Sequence, residues 1–326
     1  MRDQATKRRA LLFLNPRSRS GGGRATDGAV LHLEASGFIL TRASCAHAAD
    51  LTREVKRLAL EVDLVIVGGG DGTINAMLRG VLETRLPLGI LPLGTANDLA
   101  RTLGIPSDPI AAAKVIVAGH MRRIDVGQVN DQFFVNVASM GLSVELARRM
   151  TGNLKRHLRR LSYPLGALKT LLCTKPFTAE VATADRTIPL RSLQIAVGNG
   201  VFYDGGMAVY DGAAIDDQCL DFYSIAPRRF WQWPLLLRTF RRGRSRNLVG
   251  MRAFCSPGPL EIRTNPPLPI NTDGEITTTT PALFKLLPLA ASVFVPADHP
   301  QYINSSSPRS RPSLPNPRQL SRIAES

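Results

Sequence analysis

Val62-Asp63-Leu64-Val65-Ile66-Val67-Gly68-Gly69-Gly70-Asp71-Gly72-Thr73 is the stretch on which the fold turns. The run Val62 to Val67 is apolar and β-branched, the pattern of a strand buried on both faces of a parallel sheet. Three glycines follow, which let the backbone turn tightly and come close to a ligand with its N–H groups free. A helix predicted over Ile74 to Leu82 then adds the positive end of its dipole, so the loop suits a di- or triphosphate. It is not a P-loop, because no GK[ST] follows, and the GxGxxG spacing of a dinucleotide fingerprint is absent. Asp71 is the unusual member: a carboxylate facing phosphates needs a cation such as Mg²⁺ between them.

Working outward, the first third alternates strands and helices. A short apolar run at Ala10 to Leu14 ends in a loop, Asn15 to Gly23, and a helix is predicted over Ala25 to Ala35. A strand follows at Phe38 to Arg42, helical spacing at Asp50 to Leu60, a strand at Pro87 to Leu91 and a short helix at Asn97 to Leu103. Alternation of this kind predicts a doubly wound α/β domain. Leu91-Pro92-Leu93-Gly94-Thr95-Ala96-Asn97-Asp98-Leu99-Ala100-Arg101 again leads from strand to helix, with Gly94, Thr95 and Asn97 as ligand or cap candidates. On the neighbouring strand it forms a second wall of the same nucleotide cleft.

Near Arg123 the pattern changes. Short strand-like runs appear at Gln132 to Val137, Ala179 to Ala182, Gln194 to Val197, Leu220 to Ile225 and Leu260 to Arg263. Helical stretches interrupt them at Val144 to Leu172 and roughly Trp231 to Arg241, so this half reads as a mainly antiparallel β domain carrying helices. The last apolar run, Leu287 to Val295, either stays there or returns to the first domain. Asn271-Thr272-Asp273-Gly274-Glu275, taken alone, is an Asp-Gly hairpin turn.

Composition limits the setting. The chain has 326 residues, 44% of them apolar, enough for two cored domains. No run of about 18 apolar residues exists, and the N-terminus lacks the apolar stretch of a secretory signal, so a cytoplasmic protein is expected. Four scattered cysteines without a CxxC pair read as reduced thiols rather than a zinc site or disulfide framework. With 41 basic against 26 acidic residues the net charge is +15, which suits a polyanion: nucleic acid or an anionic membrane. No nucleic-acid recognition motif accompanies the charge. The Ser-, Pro- and Arg-rich end, from Gln301 to Ser326, reads as disordered.

The three motifs, in this order and spacing, resemble the diacylglycerol kinase catalytic family, specifically its bacterial soluble and YegS-type lipid kinases. Asn15-Pro16 with the stretch to Gly23 is similar to that family's opening NPxSG loop. Gly198-Asn199-Gly200 through Asp221 is similar to its segment ending in an acidic, metal-holding turn, and Asp273-Gly274-Glu275 to its DGE. The GGGDGT and GTAND pair is shared with NAD kinases; the opening loop and the late DGE favour the lipid-kinase branch. The resemblance implies an α/β nucleotide domain over residues 8–128, a β-sandwich-like domain over 129–298 and a tail at 299–326, with the site between the domains.

On these residues the resemblance implies a transfer of the γ-phosphate of ATP to a lipid hydroxyl. Asn15, Thr41, Gly68, Gly69, Gly70, Asp71, Gly72, Thr73, Asn75, Gly94, Thr95 and Asn97 would hold ATP. Asp71, Asp98 and Asp125 would surround the catalytic Mg²⁺, directly or through water, and Asp273 or Glu275 would be the base. A structural Mg²⁺ would sit at the turn from Ile215 to Leu220, using Asp216 or Asp217 and nearby carbonyls. Ala76 stands where the family carries an acid, and Gln218 where it carries glycine. A homodimer would be in keeping with the resemblance.

A peripheral contact with lipid has its own sequence signal. Pro227 to Arg252 holds eight arginines, no acid, and both Trp231 and Trp233; Arg148 to Arg160 adds six more basic residues. Basic and aromatic residues together suit an anionic headgroup layer, while the plain alternative is a solvated arginine face with buried tryptophans. Two other functions remain open at this point: a kinase for a soluble acceptor, and a nucleotide-binding regulator without catalysis.

Overall fold

A computed structural model describes residues 7–16, 18, 23–43, 50–145, 174–200, 202–203, 207–208, 214–226 and 251–299. The first unit begins with β1 (Arg8–Leu14), α1 (Arg24–Ala35), β2 (Phe38–Arg42), α2 (Leu51–Leu58), β3 (Leu64–Gly69), α3 (Asp71–Thr84) and β4 (Leu88–Pro92). Two more helices, α4 (Asp98–Thr102) and α5 (Pro109–Ala118), lead to β5 (Met121–Val129). Its strands lie in the order β2-β1-β3-β4, all parallel, and β3 is buried along its whole length. That strand is the Leu64 to Gly69 run whose unbroken apolar character marked it. With the right-handed crossovers usual for such units, this strand order puts α1 on one face and α2 and α3 on the other, in keeping with α5 packing against α1 and α2 against α3. The doubly wound arrangement is present.

The remaining strands are β6 (Gln132–Phe134), β7 (Val137–Gly141), β8 (Phe177–Ala182), β9 (Thr187–Ser192) and β10 (Gln194–Gly198). They continue with β11 (Phe202–Tyr203), β12 (Met207–Ala208), β13 (Leu220–Ile225) and β14 (Met251–Ser256). The last four are β15 (Leu260–Asn265), β16 (Pro269–Thr272), β17 (Glu275–Thr279) and β18 (Ala282–Phe294). A six-stranded antiparallel sheet, β14-β13-β10-β7-β16-β17, carries the Asp-Gly turn in its β16–β17 hairpin. It faces a second core built around Phe134, Phe284, Phe222 and Phe254. Fold class therefore agrees with the sequence reading: a parallel α/β sheet and a separate antiparallel sheet.

The strand β18 belongs to both halves. Val293 pairs in parallel with Leu88 of β4, while Leu260 to Ile262 of β15 pair antiparallel with Phe284 to Ala282. Strand β5 pairs with it along most of its length, across an irregularity between Leu287 and Ala291. One continuous ten-stranded sheet results.

Several details depart from the sequence reading, each for a local reason. The single strand expected over Gln132 to Val137 is broken into β6 and β7, because the N–H groups of Val135, Asn136 and Val137 bond the Asp273 carboxylate instead of a neighbouring strand. Helix α5 has a clear start, with Asp108 accepting from the Ala111 N–H at 2.8 Å and Pro109 at its first position, yet lacks amphipathic spacing. Cys219 and Cys255 are disulfide-bonded, not reduced thiols: pairing of β13 with β14 brings their Cα atoms to 5.9 Å across a separation of 36 residues, which spacing could not show. The helices expected within 144–172 and 231–241, Cys45, Cys173 and the tail from 301 fall wholly or almost wholly outside the described residues.

Candidate active site

The glycine loop and the loop after β4 meet glycine against glycine. A side-chain carbon on Gly94 would lie 2.5 Å from the Gly70 Cα, so neither position accepts a larger residue without the loops parting. The Asn15 N–H donates to the Gly68 carbonyl at 2.8 Å, and Asn15 Nδ2 donates to Thr73 Oγ1 at 2.8 Å. The opening loop is thereby tied to the first turn of α3. Thr73 in turn fills the space beside Gly69. Thr95 is exposed on the rim, and Thr41 is exposed on the edge strand β2, away from this contact of loops.

Asp71 has a role that its sequence position hid. Its two carboxylate oxygens accept the N–H groups of Asp98 and Leu99, each at 3.1 Å, so it caps α4 across the cleft. Asn97, the residue just before that helix, does not cap it. It adopts a left-handed backbone with φ 49°, and its carboxamide folds back on Gly94, accepting from the Gly94 N–H at 2.9 Å. The acid within the loop thus fastens both nucleotide walls together and retains lone pairs for further acceptance.

Asp273 and Glu275 separate sharply. Asp273 is buried, and its Oδ2 accepts from the Val135 N–H at 2.7 Å and from Asn75 Nδ2 at 2.9 Å. Its Oδ1 accepts from the N–H groups of Asn136 at 2.9 Å and Val137 at 3.0 Å. Burial pushes this carboxyl above the ordinary range, while the four donors pull the other way. Asn75 lies on α3 and also donates to the Phe133 carbonyl at 2.9 Å, so Asp273 is a clamp between the two halves. Glu275 is exposed, and a side-chain carbon on Gly72 would lie 3.3 Å from its Oε1. Its carboxylate therefore stands over the first turn of α3, beside the glycine loop.

Asp125 lies elsewhere. It is fully buried, Oδ2 accepts from the Gln218 N–H and Oδ1 from the Leu289 N–H, both at 2.7 Å. Burial pushes its carboxyl up. Of the expected trio, Asp71 meets Asp98 at its backbone N–H, while the two oxygens of Asp125 are held by the N–H groups of Gln218 and Leu289. Two asparagines link Asp125 to Asp71. Asn199 donates its Nδ2 to the Asp125 carbonyl at 2.9 Å and its N–H to the Asn136 carbonyl at 2.8 Å, and Asn136 Nδ2 reaches Asp71 Oδ1 at 3.5 Å. Asn136 was not singled out from the sequence; its one signal is an amide placed inside the apolar Gln132 to Val137 strand run.

The turn from Ile215 to Leu220 does not fit the structural Mg²⁺ that the resemblance implies. The Ile215 carbonyl accepts the Asp125 N–H at 2.7 Å, and Asp217 Oδ1 accepts the Cys219 N–H at 3.1 Å. Asp216 Oδ2 is taken by Arg122, through Nε at 2.9 Å and also through Nη2. Among the described residues no group of three or more His, Cys, Asp or Glu side chains is placed to hold a metal ion.

Comparison with known proteins accords with this geometry. Residues 9–129 match the profile of the diacylglycerol kinase catalytic domain, and residues 136–295 match that of the YegS C-terminal NAD kinase beta sandwich-like domain. The chain belongs to the diacylglycerol kinase catalytic family. Among relatives of this family, a diacylglycerol kinase of Bacillus subtilis (strain 168) is 41% identical over 152 residues, 45% of this chain and 50% of that protein. A diacylglycerol kinase of Staphylococcus epidermidis is 26% identical over 296 residues, 90% of this chain and 93% of that one. The crystal structure of a candidate diacylglycerol kinase from Bacillus anthracis str. Sterne superposes with a TM-score of 0.76 at 25% identity, covering 92% of this chain and 99% of that one. Among the described residues no helix is long and apolar enough to cross a membrane.

Proposed function

We propose that this lipid kinase moves the γ-phosphate of ATP, entering as its Mg²⁺ complex, onto the hydroxyl of a diacylglycerol-like lipid, with Glu275 as the base. One observation carries the reading: of the two DGE carboxyls, Glu275 alone is exposed and stands over the glycine loop and the start of α3. The phosphates would rest against Gly68 to Gly72, at the start of α3 and close against Gly94. Asn15 and Thr73 fix the loop's shape, and Thr95 is exposed at the rim to meet the nucleotide. Asp71 and Asp98 are the carboxyls nearest an incoming Mg²⁺, by contact or through water.

Phosphoryl transfer of this kind asks the protein for placement and charge more than for covalent work. The lipid oxygen attacks phosphorus as its proton passes to the Glu275 carboxylate. The bond from the γ-phosphorus to the bridging oxygen breaks, and ADP leaves. Asp273 sets the distance by fastening the hairpin that carries Glu275 to α3 and to the 135–137 segment.

The test is phosphate transfer from ATP with Mg²⁺ to a panel of lipids in mixed micelles, comparing wild type with Glu275→Gln. The expected result is label on one lipid class, with kcat lowered about 10²- to 10⁴-fold in the variant and thermal melting unchanged. Transfer to no lipid, while ATP still binds, would sink the proposal and favour a soluble acceptor or a catalytically silent regulator.

A further inference from the structure

The turn that ought to receive a divalent cation already holds a cation of the protein's own. Arg122, on β5, and Asp216 form an ion pair whose side chains are 4% and 0% exposed. The guanidinium directs Nε and Nη2 at one oxygen of Asp216, and the other, Oδ1, is buried and has no partner among the described residues. On its far side, Arg122 Nη1 meets His299 Nδ1 at 2.6 Å. A guanidinium can only donate, so that ring nitrogen accepts, and the Nε2 proton is left to donate to the Thr102 carbonyl at 3.1 Å. Thr102 is in α4, the helix whose first N–H groups are held by Asp71. A divalent ion seated on Asp216 would share a buried carboxylate with a fixed positive charge, and neither has water to screen the other.

The rest of the turn is fastened in the same metal-free manner. Asp125 binds the Gln218 N–H, Asp217 binds the Cys219 N–H, and the Cys219–Cys255 bond anchors the end of the turn to β14. Apart from Asp216 Oδ1, the oxygens that hold the turn (the Ile215 carbonyl, Asp216 Oδ2, Asp217 Oδ1 and both oxygens of Asp125) already accept from N–H groups.

We propose that Arg122 serves this chain in place of a structural metal ion. It fixes the 214–220 turn to β5 and, through His299, ties that turn to α4 at the nucleotide cleft, so the turn is ordered without any divalent cation. Arg122 is thus a positioning residue, remote from the reacting atoms.

The experiment is thermal melting of the nucleotide-free, full-length protein in EDTA and in millimolar Mg²⁺ or Ca²⁺. Wild type should melt at the same temperature in all three. Arg122→Met, which keeps length and removes charge, should melt about 5–10 °C lower in EDTA and regain part of that loss in Mg²⁺ or Ca²⁺ as Asp216 is freed. Arg122→Lys should recover some stability without the fork. A rise in wild-type melting on adding Mg²⁺ that disappears in Asp216→Asn overturns the proposal. So does an Arg122→Met protein that folds but ignores divalent ions, since the arginine would then be packing alone. Should that variant fail to fold, Mn²⁺ titration of nucleotide-free wild type and Asp216→Asn decides. No site lost with Asp216 supports the proposal, and a saturable site lost with it overturns it. None of these readouts requires catalytic activity.

Discussion

Asp273 and Glu275 stand two positions apart on one hairpin and meet opposite environments. The short sequence Asp273-Gly274-Glu275 displays two carboxylates and gives no ground for choosing between them. The choice depends on Val135, Asn136 and Val137, whose N–H groups surround the first acid and leave the second to solvent. Those donors are more than 130 residues away in the chain, so no local reading could find them. Asp71 was legible as a loop acid but not as the cap of α4, for the same reason. If Asp273 is the clamp, Asp273→Asn places an amide N–H₂ against backbone N–H donors. That variant should lose about 2–4 kcal/mol of stability, read as a lower urea midpoint, whereas Glu275→Gln should hold the wild-type midpoint. Equal midpoints for all three proteins would remove the clamp.

Elements were most legible where one physical signal dominated. Strand β3 announced itself through six buried residues in a row, and β2 and α1 fell where their apolar spacing put them. Helix α5 escaped because Pro-Ile-Ala-Ala-Ala-Lys-Val-Ile-Val-Ala is apolar nearly all round, packed between α1 and β4, and so has no polar face to create a period. Strand β9 contains Pro189, which argues against a strand until its place at the end of the sheet is known. The Ile215 to Leu220 turn shows a different kind of misfit. Gln218 adopts φ 59°, a left-handed conformation that suits glycine, at an exposed site where the family carries glycine. Gln218→Gly is therefore expected to raise stability by roughly 1 kcal/mol, seen as a higher melting midpoint with kcat unchanged. A lower midpoint would mean that the Gln218 side chain contributes more than its backbone costs.

At the scale of the whole molecule, the net charge of +15 suits a polyanionic partner, and we propose an anionic lipid surface as that partner. The Trp231 and Trp233 stretch and the basic run from Arg148 to Arg160 lie outside the described residues, so the membrane proposal rests on charge and sequence. Binding to vesicles containing phosphatidylglycerol should weaken steeply as salt rises through the range where the screening length falls below ~10 Å. Reversing charge at Arg241, Arg242 and Arg244 should weaken it at low salt; binding indifferent to both would leave the net charge of +15 without this role.

The place of β18 in both halves has a consequence for the order in which the molecule can be made. Leu88 must wait for Val293, some two hundred residues later in synthesis, before the open flank of β4 is covered. Until residues 282–294 leave the ribosome, the nascent nucleotide half offers a bare strand edge, the feature on which neighbouring chains most readily zip together. The nucleotide half cannot complete its sheet ahead of the other. The protein closes from its far end, and a chain released before Ala282 would be an aggregation nucleus rather than a smaller enzyme.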